Sequence, residues 1–402
     1  METEEQTTEK KEKKEIIEEF QNGKIRFPWM RDRMIENPRE LFNNLQKYIP
    51  EISDKPFTYK YIVWKVLNEN SLIKYKNQKY ISIITKKEDY IKIDKLVDYF
   101  NEKPRMNSCR RDKPCSPIDV WTKRQDILKP WIQTQIKHHK EITILGLREQ
   151  LWKMGLECNA FKASLAISIY SIFKAKRILD FSSGWGDRLL AAMAYNADRY
   201  LGYDPNPNLQ NGYHEMIHMF SQTKCTDCGS LQKTGKTGKT GGQEKKYEII
   251  TEPFEISEFK EEKFDLVFTS PPYFDFETYI RSDNILSITQ SIMNYPKFND
   301  WMVHFLFHSL YKCWYYLIPN GNMVIHLSDV YKTNYVEAMI LFILGWCPGS
   351  RMDGSIASIG DCAKPRPLWI FHKTSYKTID LLSVERMEKY YPELFSILKN
   401  IY

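Results

Sequence analysis

Long apolar runs are missing from this 402-residue chain. The longest, AMILFILGWC at 338–347, falls well short of the ~18 residues that a membrane span requires, so no membrane partner is expected. No hydrophobic signal segment is present either. Cysteines are few, eight in all and scattered, which excludes a disulfide-built scaffold and predicts an intracellular protein, nuclear or cytoplasmic, in a reducing compartment. An acidic excess is also lacking. The net charge is +7, with 25 Tyr and 21 Phe, a balance that suits nucleic acid, although an A+T-rich genome also yields Lys-rich chains. The chain is 42% hydrophobic, enough for one large core and a smaller module, because single cores rarely grow past ~250–300 residues.

Residues 1–20 are charged and show no apolar face before Ile16, so they are expected as a disordered or frayed helical tail. Residues 21–124 are expected to form a small N-terminal mixed α/β module and a basic linker. There, TYKYIVWKVLNEN (58–70) reads as a helix, QKYISIITKK (78–87) as a strand and DKLVDYF (94–100) as a short helix. Either a winged-helix-like nucleic-acid reader or a plain packing domain fits this order. The stretch 101–124 carries Arg105, Arg110, Arg111, Lys113, Lys123 and Arg124 near Trp121, without helical period; it reads as a linker able to contact phosphate or as a solvated charge run.

From 125 to 402 short apolar strands alternate with helices. RILDF, RYLGYD, YEIIT, FDLVFTS and NMVIHLSD are separated by helical stretches such as DRLLAAMAY and HEMIHMF, with a flexible insertion at 225–246. Strands separated by helices imply parallel crossovers, hence an α/β fold with a doubly wound, mostly parallel sheet whose ligands bind beyond the carboxyl ends of the strands. At the first such end, DFSSGWGDR (180–188) turns on Gly184 and Gly186, where the absence of a Cβ permits a close approach to a ligand. The second strand ends at Asp204, placed to bind a ribose hydroxyl pair. The pyrophosphate fingerprint is not completed: Leu189 stands where a third glycine belongs, and Asp187 would repel phosphate. A nucleoside without phosphates fits better. Asp180, Gly184, Gly186 and Asp204 together resemble the S-adenosylmethionine site of Rossmann-like class I methyltransferases. The resemblance implies that S-adenosyl-L-methionine is the cofactor, that Asp180, Ser182, Gly184 and Gly186 form the loop at its methionine portion, and that Glu255, or alternatively Glu252, meets the adenine.

The fourth strand runs into Thr-Ser-Pro-Pro-Tyr at 269–273. Pro271 and Pro272 hold the backbone extended and rigid, so carbonyl oxygens and the Ser270 hydroxyl are fixed as acceptors for an NH2 group, while Tyr273 offers a stacking face worth ~1–3 kcal/mol per base. An exocyclic base amine is a poor nucleophile. Accepting its hydrogens raises the electron density on nitrogen, the proton leaving to water or to Asp275. The loop has no Pro-Cys, so carbon-5 chemistry through a cysteine is not expected. This motif resembles the amino-methyltransferases, most closely the cytosine-N4 branch, and the resemblance spans about 161–373. It implies Ser270, Pro271, Pro272 and Tyr273 as the catalytic set, acting on cytosine N4 or adenine N6, in DNA ahead of RNA. The donor loop departs from the Asp-Pro-Phe-x-Gly-Ser-Gly-Thr form of the DNA enzymes, leaving open an RNA base, a protein glutamine, or a non-catalytic subunit working with a protein partner. The long segment 274–300 brings Arg281 for phosphate and Phe274 or Phe276 to fill the place of an extruded base. A hairpin at 345–373 adds Arg351, Lys364 and Arg366.

Three other motifs compete. HEMIH at 214–218 matches a zinc-protease helix but would sit within a nucleoside-binding sheet. His214 and His218 with Cys225 and Cys228 form a possible structural zinc set, although no metal is assigned. The Lys/Gly/Thr run at 229–242 fails the phosphate-loop spacing and reads as a flexible connection.

Overall fold

The computed structural model describes residues 4–23, 25–53, 79–84, 93–110, 116–140, 142–154, 157–221, 246–258, 262–280, 288–329, 335–359 and 366–402. The expected helix at 58–70, the insertion through 245 with Cys225 and Cys228, and Arg111, Lys113, Arg281 and Lys364 lie outside these residues.

The strands are β1 (Glu51–Ser53), β2 (Lys79–Ile84), β3 (Cys109–Arg110), β4 (Arg177–Asp180), β5 (Arg199–Tyr203), β6 (Tyr247–Ile250), β7 (Phe264–Thr269), β8 (Glu277–Thr278), β9 (Leu317–His326), β10 (Ser350–Ile359) and β11 (Arg366–Lys373). Nine of them form one sheet in the order β1-β2-β10-β11-β9-β7-β4-β5-β6. β6, β5, β4, β7 and β9 run parallel, and β11 is antiparallel to both β9 and β10. The order reverses at β4, which has β5 on one side and β7 on the other. This is the doubly wound Rossmann-like sheet expected from the sequence, and its switch point lies between the carboxyl ends of β4 and β7.

Alternation along the strands explains the two layers. Leu179, Val267, Met323 and Ile325 point into a core closed by the segments Trp301–Phe307, His308–Tyr316 and Tyr335–Trp346. Ile178, Leu266, Phe268 and Val324 point the other way, against the helices Ala163–Phe173, Asp187–Tyr195 and Gln210–Phe220. The helix His308–Tyr316 is preceded by a π-helical stretch, Trp301–Phe307, whose Phe305 reaches the cavity described below.

The N-terminal residues also contribute to the main sheet. β2 pairs in parallel with β10 from Gly354↔Lys79 to Ile359↔Ile84, so residues before 124 extend the main sheet. The tail is helical over Glu4–Gln21, with Ile16 fully buried beside Trp121 and Leu128. Within the stretch read as a linker, Asp98–Met106 and Pro117–Lys123 are helices, the second fixed by a Ser116–Asp119 capping box. Arg105 is buried rather than free for phosphate: its guanidinium donates to both oxygens of Asp98 at 2.8 and 2.6 Å and to Glu157 at 2.8 Å. Arg148 joins Glu157 to Glu102 at 2.9 and 3.0 Å, and Glu102 accepts the Met30 amide at 2.7 Å. Burial and the Asp98 charge push the Glu102 carboxyl up to about 8. The basic pattern of 101–124 was therefore partly an internal charge network, invisible without its distant acids.

Removing one member of a buried network leaves the other charge uncompensated, at ~3–5 kcal/mol. Arg105→Leu is expected to lower the thermal unfolding temperature by several degrees, whereas Arg124→Leu, whose partner Asp126 is solvent-exposed, leaves it nearly unchanged.

Candidate active site

The glycine loop is shaped at Gly184 (φ 61°) and Gly186 (φ 107°), both in the left-handed region, and a Cβ on Gly186 would lie 2.8 Å from Met216 Cε. Beneath it, the buried Asp180 carboxylate accepts from Arg188 Nε at 2.7 Å, the Tyr200 hydroxyl at 2.7 Å and the Ser182 amide at 3.2 Å. Arg188 also donates to the Ser182 carbonyl, and the Tyr213 hydroxyl to the Gly184 carbonyl. From the N-terminal segment, Asn101 donates to the Trp185 carbonyl at 2.8 Å. Asp180 and Gly186 therefore hold the loop from behind, and neither is among the residues lining the cavity.

The cavity occupies about 1200 Å³ at the carboxyl ends of the strands. Ser182, Gly184, Asp204 and Glu255 line one part, and Ser270, Pro271, Pro272 and Tyr273 another. Asp204 accepts the Gly184 amide at 2.8 Å and the Asn206 amide at 3.0 Å, which fixes both carboxylate oxygens. Burial nevertheless pushes its pKa up to about 7. Glu255 is buried and its pKa is raised by that burial, while Glu252 is exposed and away from the cavity. Lys312 holds the loop carrying Glu255 by donating to the Phe254 and Ser257 carbonyls at 2.6 and 2.5 Å.

Ser270 Oγ lies 3.1 Å from His326 Nδ1 at the tip of β9. Tyr273 packs edge-on toward Phe276 at 6.3 Å, and the Tyr273 carbonyl accepts the Phe276 amide at 2.7 Å to close a turn. Arg110 sits 4.7 Å over the Phe276 ring, brought there by β3 pairing with β8. Phe274, at φ 37°, packs against Phe298 and Trp301. Asp275 does not line the cavity, so its expected place beside the departing proton is not observed. The HEMIH histidines are exposed on the helix Gln210–Phe220, and among the described residues no cluster of metal-ligand residues occurs.

Three cavity-lining residues escaped the sequence reading as ligand groups. Asp187, Asn206 and Ser328 each carry a buried side-chain atom, Oδ1, Nδ2 and Oγ, with no hydrogen-bond partner among the described residues. Buried polar atoms are ordinarily paired, and these three lie sealed in the wall of the cavity without a partner among the described residues. Burial, together with Asp98 and Asp94, raises the Asp187 pKa well above the carboxylate range. His326 was also missed, although its position at a strand's carboxyl tip is the signal that located Asp204.

No protein-family model matches the chain, and no curated protein matches it in sequence. Among solved structures, TrmN from Thermus thermophilus superposes with a TM-score of 0.34 at 11% identity over 54% of this chain and 50% of that one. An rRNA methylase from Streptococcus thermophilus gives 0.33 at 10% identity, covering 52% and 97%. The N-methyltransferase NodS from Bradyrhizobium japonicum gives 0.32 at 9%, covering 53% and 94%. Likeness at this level carries no argument about activity. Among the described residues no helix is long and apolar enough to cross a membrane.

A carboxyl whose folded pKa lies above its unfolded value favours the folded state at low pH and loses that advantage as pH rises. For Asp204 the window runs from about 3.8 to about 7. The stability of the ligand-free protein relative to Asp204→Asn is therefore expected to fall across that window, as read by urea unfolding at successive pH values.

Proposed function

We propose that the protein is an S-adenosylmethionine-dependent methyltransferase acting on an exocyclic amino nitrogen of a nucleic-acid base, cytosine N4 or adenine N6, in DNA ahead of RNA. One observation carries the reading: Gly184, Asp204 and Glu255 open into the same cavity as Ser270, Pro271, Pro272 and Tyr273. Ligand pockets commonly span ~300–1,000 Å³, so about 1200 Å³ has room for a nucleoside-sized donor and a planar acceptor together.

The residues present fit the donor. Asn206 and Asp187 place an amide and a carboxyl in the cavity wall, groups suited to a ligand bearing both a carboxylate and an ammonium. Asp204 is held rigidly enough to receive ribose hydroxyls, and Glu255 lies beyond β6 for the adenine. When bound, S-adenosylmethionine supplies a sulfonium methyl group. The chain's own part is to position and polarise the acceptor. Ser270 Oγ accepts a hydrogen bond from the amine, whose proton leaves to water after methyl transfer, the two prolines keep that hydroxyl from drifting, and Tyr273 stacks on the base. Arg110 and Arg366 line the cavity as cations suited to a polyanionic acceptor, which must present its base unpaired or extruded.

Purified protein incubated with labelled S-adenosylmethionine and DNA, RNA or glutamine-containing peptide is expected to yield 4-methylcytosine or 6-methyladenine on nucleoside mass spectrometry. No methylated base from any nucleic acid, or methylated glutamine instead, defeats the reading. Tyr273→Ala is expected to lower kcat/KM by about 5- to 150-fold, the equivalent of ~1–3 kcal/mol of stacking. Asp204→Ala is expected to weaken donor binding by about tenfold or more, read by calorimetry.

A further inference from the structure

We propose that His326 decides which amines the site accepts: its Nε2–H donates to the unprotonated ring nitrogen beside the exocyclic amine, admitting cytosine and adenine edges and excluding guanine. This rests on reading the cavity as a base-amine methyltransferase site. His326 ends β9, the neighbour of β7 in the sheet, and lines the cavity while only 8% exposed. Phe161 packs edge-on against its ring at 5.2 Å, and Nδ1 lies 3.1 Å from Ser270 Oγ. Nε2 has no protein partner among the described residues, yet it is not one of the sealed, unsatisfied atoms, so it opens on the cavity.

Burial and the Arg366 and Arg188 guanidiniums lower the His326 pKa to about 3, so the ring is neutral at working pH. A neutral imidazole has one donor and one acceptor nitrogen, and the bond made by one sets the role of the other. For the Ser270 oxygen to accept from an amine, its own hydrogen must be directed elsewhere. His326 Nδ1 is the acceptor within reach, which places the imidazole proton on Nε2. The wall then presents an acceptor, Ser270 Oγ, beside a donor, His326 Nε2–H. Cytosine pairs its N4 amine with a lone pair on N3, and adenine its N6 amine with one on N1, matching that order. On its Watson–Crick edge guanine pairs its N2 amine with N1–H, which sets two donors against each other and leaves both unpaired, the arrangement that binding sites reject most strongly; the other ring neighbour of that amine, the N3 lone pair, lies on the sugar side, where the ribose on N9 obstructs the approach.

The test uses the intact wild-type protein. Oligonucleotides carry the methylated base or its deaza analogue, 1-deazaadenine or 3-deazacytosine, in which the amine is kept and the ring nitrogen is replaced by C–H. The proposal expects kcat/KM to fall about tenfold or more on the analogue. His326→Asn retains an oxygen that can accept from Ser270 but has no Nε2 hydrogen, and is expected to bring the parent-to-analogue ratio close to one. Equal rates of wild type on parent and analogue, or methylation of guanine, overturn the proposal while leaving methyl transfer itself intact. Methylation of no base at all overturns the underlying reading and this inference with it. If the variant does not fold, the wild-type comparison decides alone.

Discussion

The buried carboxylate of Asp180 is the point on which the site's geometry depends. It joins the end of β4 to the helix through Arg188, to β5 through the Tyr200 hydroxyl and to its own loop through the Ser182 amide. A charge removed from water is tolerated only when its lone pairs are filled, and here three donors from three elements fill them. The glycine loop thus has a fixed floor, and the Gly184 amide is held where Asp204 can receive it. The next strand's carboxylate is locked in turn, so one interaction under the loop orders the strand tips that face the ligand.

Across the switch point, order comes from neighbours rather than from a single anchor. The Ser270 hydroxyl meets His326, the Tyr273 carbonyl closes onto Phe276, and Gln290 takes the Tyr279 and Ile280 amides while donating to the Ile280 carbonyl. These contacts fix the exit from β7 without using regular secondary structure. The π-helical segment Trp301–Phe307 has a similar effect, widening the helix where Trp301 packs against Phe274 of the same loop.

Features of the site that are local in sequence were legible there. Gly184, Asp204, Glu255 and Ser270–Tyr273 each follow a short apolar strand, so one rule about strand ends found them and placed them in a common cavity. The role of Asp180 was not legible, because a carboxylate after a strand looks the same whether it faces a ligand or the Arg188 side chain beneath. Arg105 read as a solvated cation since its acids lie at 98 and 157, and no local pattern reports such a pairing. β2 was legible as a strand, but its parallel partner is β10, more than two hundred residues away, so nothing short-range distinguished an added sheet strand from a separate module. His326 was hidden by the apolar run before it, whose period describes the strand and not its last residue.

The two-residue ladder between β3 and β8 is small, but it stitches the N-terminal portion of the chain directly to the turn after Tyr273. Recognition elements in many two-part enzymes can be exchanged like attachments on a common tool. Here such grafting would open the cavity itself: a cut upstream of the glycine loop would carry away Arg110, which lies in its wall.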